Sequence, residues 1–191
     1  ISGGSGMSSL MDWSSVVFGR LITALETLQK EYDFVLFDMG AGIVEWSLDL
    51  LTSLDELIVI STAEPTSIMD AYSMMKFIHL KDDSKTFYIL CNRAFNTEEG
   101  QDTTKRLKTV MERFLEKEVV VLGSLPEDPV VRQAVRQQSL FTTLYPDAPI
   151  TQTMHKIVKQ FLNHQVEIEE VHAAEKSNKF LSKLKSIFSK G

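Results

Sequence analysis

Tyr32-Asp33-Phe34-Val35-Leu36-Phe37-Asp38-Met39-Gly40-Ala41-Gly42 runs four apolar residues into an aspartate and two closely spaced glycines. A short apolar run without alternation suits a strand covered on both faces, as in a parallel sheet. In phosphate-binding α/β proteins an aspartate at such a strand end holds Mg²⁺, usually through a water. Glycines beside it let backbone N–H groups approach a γ-phosphate. A strand closing in an ordinary Asp-containing turn has the same pattern, so the stretch alone leaves both readings open.

Similar runs recur downstream at Leu57–Ser61, Phe87–Cys91 and Val119–Gly123. Segments with helical spacing lie around and between them. Their stripes are Val17, Leu21, Leu25 and Leu28; Ile68, Ala71, Met75 and Ile78; and Leu107, Val110, Met111 and Phe114. Val131, Ala134 and Val135 form a shorter stripe, and Ile157, Phe161 and Leu162 the last long one. Thr66 and Asp128 stand where helix N-caps are expected. This alternation predicts βαβ units and an α/β, three-layer sandwich around a mostly parallel sheet. Ile1-Ser2-Gly3-Gly4-Ser5-Gly6 invites a phosphate-loop reading. However, GxxxxGK[ST] requires a lysine and the first one is Lys30, so an ordinary glycine turn is expected there.

The 191 residues are 43% hydrophobic and 24% charged, the balance of a globular domain rather than a disordered chain. Cys91 is the only cysteine, which excludes an internal disulfide and a CxxC zinc site and suits a reducing cytoplasm. No apolar run has the length of a membrane span, and the first residues lack the pattern of a signal peptide. The net charge of −6 is uneven: five lysines and no acid follow Glu175, giving +5 there and leaving −11 on the first 175 residues. An acidic body argues against nucleic acid as a partner, while the basic tail argues for a local anionic one.

Four segments together resemble one family. Phe34–Gly42 is similar to switch II of MinD/ParA-type ATPases, in the D-x-G-A-G wording of the FlhG (YlxH) branch. Ser61–Tyr72 is similar to the strand–turn–helix that follows. Cys91-Asn92-Arg93 resembles the adenine-reading "NR" motif, and Gly123–Asp128 the second adenine-side loop. The likeness runs from about Ile1 to Gln165 and implies a P-loop NTPase-like fold, with ATP or ADP and Mg²⁺ as ligands. It implies that Asp38 is the catalytic-centre carboxylate, holding Mg²⁺ through water, and that Gly40 and Gly42 lie at the γ-phosphate. It also implies that Asn92, Arg93, Pro126, Glu127 and Asp128 line the base. As residues, Asn92 equally caps a helix-entry loop, Arg93 equally serves as a surface ion-pair partner, and Asp128 caps a helix in either case. Asp70 reads as a solvated helix residue near the family's dimer face.

The family's deviant Walker A loop, with its two lysines, and its switch I aspartate cannot be placed in these residues. The chain is therefore expected to be the C-terminal part of such a domain (1–171), lacking the N-terminal strands and inactive in hydrolysis alone. Residues 172–191 are expected to form a basic amphipathic membrane-targeting helix. Phe180, Leu181, Leu184, Ile187 and Phe188 fall on one helical face, with Lys179, Lys183 and Lys185 on the polar one. A terminal helix packed on the domain and a calmodulin-type target helix are the competing readings. The resemblance implies an ATP-dependent homodimer on the anionic inner face of the cell membrane, regulating flagellar placement or number. It also implies an FlhF-type GTPase and flagellar switch-complex proteins as partners. Two further readings are a non-catalytic membrane-tethered interaction module, and a cell-division or partitioning relative.

Overall fold

The computed structural model describes residues 15–40, 45–172 and 179–188, and the expectations placed on Ile1–Gly6, Gly42, Lys176 and Lys190 lie outside them. The chain forms two compact units, 56–174 and 1–55 with 175–191.

The larger unit is an α/β layer structure. Three parallel strands, β1 (Glu56–Ser61), β2 (Thr86–Ala94) and β3 (Val120–Pro126), lie in the order β1-β2-β3. Helices α3 (Pro65–Lys81) and α4 (Thr97–Leu115) make the crossovers and pack on one face. After α5 (Pro129–Arg136) and the short α6 (Phe141–Leu144), α7 (Pro149–His172) packs on the other. Strand β2 shows why its residues are continuously apolar, since Phe87 through Cys91 are all buried. Tyr88 and Leu90 pack with Leu122, Leu125, Ile150 and Ile157 on the α7 side. Alternation turns Phe87, Ile89 and Cys91 to the other face, where Ala71, Met75, Ile78, Leu107 and Met111 supply the apolar stripes of α3 and α4.

Two helix stripes are narrower than their sequence spacing suggests, because Phe114 and Val135 are exposed. Thr66 is not a cap. Helix α3 starts two residues earlier, with Glu64 as N-cap and Pro65 at N1, where proline's fixed φ and missing N–H cost nothing. Asp128 does cap α5, its Oδ1 accepting from Val130 N at 3.0 Å.

The smaller unit holds α1 (Ser15–Glu31), α2 (Glu45–Ser53) and α8 (Lys179–Phe188). Helix α2 has no counterpart in the sequence reading. Phe34–Asp38 is not a strand: among the described residues this unit contains no strand, and Leu36 is 86% exposed. A strand exists only as a member of a ladder, and an apolar run alone does not supply one. Leu21, Leu25 and Leu28 of α1 do make an apolar face, and with Ile22 they meet Phe180, Leu181 and Leu184 of α8. The face expected to meet lipid is thus packed against protein. Phe180 and Leu184 are nearly inaccessible, and burying each stabilises the contact by about 2 kcal/mol. On the polar side Lys185 donates to Glu26 Oε1 at 2.9 Å, while Lys183 is exposed. The side chains of Lys179, Ile187 and Phe188 lie outside the described residues.

Candidate nucleotide site

At the C-terminal end of β2 the ladder breaks register. Cys91 pairs with Ser124 but Ala94 pairs with Pro126, so β2 carries one residue more than β3 across this interval. The extra length is a bulge at Asn92-Arg93, and Arg93 takes the left-handed conformation (φ 58°) that non-glycine residues seldom adopt. A bulge re-aims side chains, and here it lifts Asn92 and Arg93 to the rim of the sheet.

Several bonds secure this geometry. Asn92 Oδ1 accepts from Arg93 N at 3.0 Å, which occupies one lone pair and leaves the Nδ2 amide hydrogens to be placed elsewhere. Arg93 Nε donates to Glu127 Oε2 at 2.7 Å, and Glu127 N donates to Ala94 O at 2.9 Å. The loop after β2 and the loop after β3 are therefore tied by main chain and side chain together. Arg132 of α5 also approaches Glu127 Oε1, at 3.5 Å. The Arg93 hydrogen bond lowers the Glu127 carboxyl below its ordinary range, and the same bond raises the Arg93 guanidinium.

The base of this corner is equally restrained. Asn96 caps α4, its Oδ1 accepting from Glu99 N at 2.8 Å, and Glu99 Oε2 in return accepts from Phe95 N at 2.6 Å. Gly100, one turn into α4, lies so close to the sheet that a Cβ there would overlap the Ser124 side chain. Cys91, behind the loop, is fully buried, and burial pushes its thiol pKa up, so it takes no part as a nucleophile.

The structure therefore brings Asn92, Arg93, Pro126, Glu127 and Asp128 into one corner at the carboxyl end of parallel strands, where open α/β sheets bind ligands. Asp38 and Gly40 belong to the smaller unit, where both are exposed, and a Cβ built at Gly40 meets nothing within 4 Å. Phe37, just before them, packs on Phe180 of α8 with ring centroids 5.7 Å apart. One exposed carboxylate beside an open glycine fits Mg²⁺, which keeps most of its water and phosphate ligands and takes one or two carboxylates from protein. Among the described residues no group of three or more His, Cys, Asp or Glu side chains forms a metal cage. Arg93 is the surface ion-pair partner that the sequence allowed, but the bulge at Asn92-Arg93 and the identity of the partner, Glu127, were absent from the sequence reading. Only the left-handed residue betrays them, and nothing in the sequence marks an arginine as left-handed.

No family model matches the chain. Antiactivator FleN of Pseudomonas aeruginosa is 30% identical over 142 residues, 74% of this chain and 51% of FleN. Flagellum site-determining protein YlxH of Helicobacter pylori is 26% identical over 133 residues, 69% of this chain and 45% of YlxH. The septum site-determining protein MinD of Pyrococcus horikoshii, solved in complex with Mg-ADP, superposes with a TM-score of 0.58 at 21% identity, covering 74% of this chain and 55% of that one. The chain spans about half the length of the curated relatives it matches.

Proposed function

Because the chain belongs to the MinD/ParA-type ATPases, close to the FlhG (YlxH) branch, we propose that it serves an ATP-dependent dimerisation and membrane switch regulating flagellar placement and number. The observation that carries this reading is the tied corner of Asn92-Arg93 and Pro126–Asp128. With its Oδ1 engaged by Arg93 N, Asn92 offers Nδ2 as a donor to a ring-nitrogen acceptor of adenine. Pro126 and the backbone around Glu127 and Asp128 line the base from the other side. Asp38 would hold Mg²⁺ through a water, with Gly40 and Gly42 at the γ-phosphate. The ion, when bound, neutralises developing charge on the phosphate oxygens.

In this proposal ATP joins two subunits face to face and the dimer presents two copies of α8 to an anionic membrane. A single short helix binds a bilayer marginally; two held together bind far better through effective concentration. Phe180 and Leu184 cannot be buried against α1 and in lipid at once, so membrane binding competes with the docked arrangement. No helix among the described residues is long and apolar enough to cross a membrane. The family resemblance implies flagellar switch-complex proteins and an FlhF-type GTPase as partners of this switch.

Co-sedimentation of the full-length protein with vesicles tests the switch. Pelleting with anionic vesicles in ATP but not ADP, lost in Lys183→Glu, is the expected result. Equal pelleting with neutral and anionic vesicles, or none in ATP, would sink the proposal.

A further inference from the structure

At the opposite end of the sheet from Asn92, α7 covers a buried phenol near the start of β2. Tyr88 is inaccessible to solvent. Its hydroxyl is hydrogen-bonded to His164 Nδ1 at 2.9 Å and accepts from Gln165 Nε2 at 2.8 Å. Burial, then the Glu56 carboxylate, push its ionisation above the ordinary tyrosine range. Its ring meets Phe161 and His164 edge-on, at centroid distances of 5.0 and 5.4 Å. A fully engaged interior group thus fixes the position of an imidazole on the surface of α7.

That imidazole closes one end of an open groove of about 370 Å³ lined by Val120, Lys156, Lys159, Gln160, Asn163 and His164. The lining holds two ammonium groups, two carboxamides and one imidazole, and no carboxylate. The five α7 residues follow the i, i+3, i+4, i+7, i+8 pattern, so they share one face, and they span roughly 12 Å along the axis. Gln160 bonds Val121 O at 3.1 Å, which fixes the middle of the row against β3. On a body that carries −11 over its first 175 residues, this strip is a local reversal of sign.

We propose that the groove is a docking site for an acidic peptide segment of a partner protein. An extended peptide places residues i and i+2 on one edge about 7 Å apart. Lys159 and His164 are separated by roughly 7.5 Å along α7, so alternating acids of the peptide meet these two groups, with Gln160 and Asn163 between them. Three to four extended residues fill its length, whereas a lone phosphate occupies only part of it. The site does not depend on nucleotide binding and lies at the other end of the strands from the adenine corner.

The probe is a fluorescently labelled hexapeptide of alternating aspartate and serine, titrated by anisotropy against the chain at low salt. Saturable binding is expected, with amide shift changes centred on 156–164. Lys156→Gln and Lys159→Gln, both at exposed positions, should each weaken it about fivefold. Absence of saturable binding overturns the proposal, as does binding that neither lysine variant changes. Pyrophosphate binding through the same lysines more tightly than the peptide also overturns it, since the groove is then a small-anion site.

Discussion

The two places where ligand chemistry is expected are built in opposite ways. The Asn92-Arg93 and Pro126–Asp128 corner is held by a β-bulge, a 2.7 Å ion pair, a main-chain bond between the loops and a reciprocally capped helix pressed against Ser124. The Asp38–Gly40 segment is exposed, has open space at its glycine, and is anchored just upstream by the packing of Phe37 on Phe180. A base is a rigid planar ligand and suits a preformed corner. A γ-phosphate that comes and goes suits a segment whose geometry is set by what binds. The contrast teaches that the proposed base site rests on restrained backbone, whereas the proposed phosphate segment has few restraints of its own among the described residues.

The largest effect should come from the anchor of the open segment. Leu184→Ala removes a nearly inaccessible side chain from the α1–α8 contact and should destabilise the smaller unit by about 3 kcal/mol. Hydrogen exchange should then rise in α1 and α8 while β2 and β3 stay protected. Equal loss of protection in the strands would break the distinction between the two places.

Gly100→Ala attacks the rigid corner instead. Displacing α4 from Ser124 should cost about 2 kcal/mol in denaturant unfolding and shift the amide resonances of Asn92–Asn96. A silent substitution would mean that the close approach of α4 does not hold the corner. Cys91 sharpens the same point, because a buried thiol with a raised pKa should react with thiol reagents only upon unfolding.

The smallest effect concerns the ion pair. Arg93→Gly keeps the left-handed backbone and removes the nearer of the two basic partners of Glu127, so the Glu127 carboxyl should titrate nearer its ordinary value of 4.5 by NMR. A carboxyl lowered in the folded state stabilises above its ordinary pKa and loses that contribution as pH falls through the lowered one. The wild-type corner should therefore lose this contribution on the acid side, and Arg93→Gly should show less of it, since Arg132 still approaches Glu127. The pair is exposed, so the change in global stability should be slight.

Leu57–Ser61, Phe87–Cys91 and Val119–Gly123 were legible as strands because each has a neighbour to complete its ladder. Phe34–Asp38 reads the same way and is not a strand, because pairing is not a property of one segment. Asp128 was legible as a cap because its bond is local, whereas Thr66 lost that role to the proline at N1. The α8 stripe was legible as amphipathic, but an apolar face does not say whether protein or lipid covers it. The motifs of the corner were visible too, and Arg93 was legible as an ion-pair candidate; the bulge and the choice of Glu127 were not, since they arise from register and from partners 34 residues apart.

The most direct test is NMR titration of the ¹⁵N-labelled chain with Mg-ATP and, separately, Mg-GTP. Shift changes concentrated at Asn92–Phe95 and Pro126–Val130, larger for ATP and abolished by Asn92→Ala, are the predicted result. Changes of equal size for both nucleotides, or confined to residues elsewhere, would contradict adenine recognition at this corner.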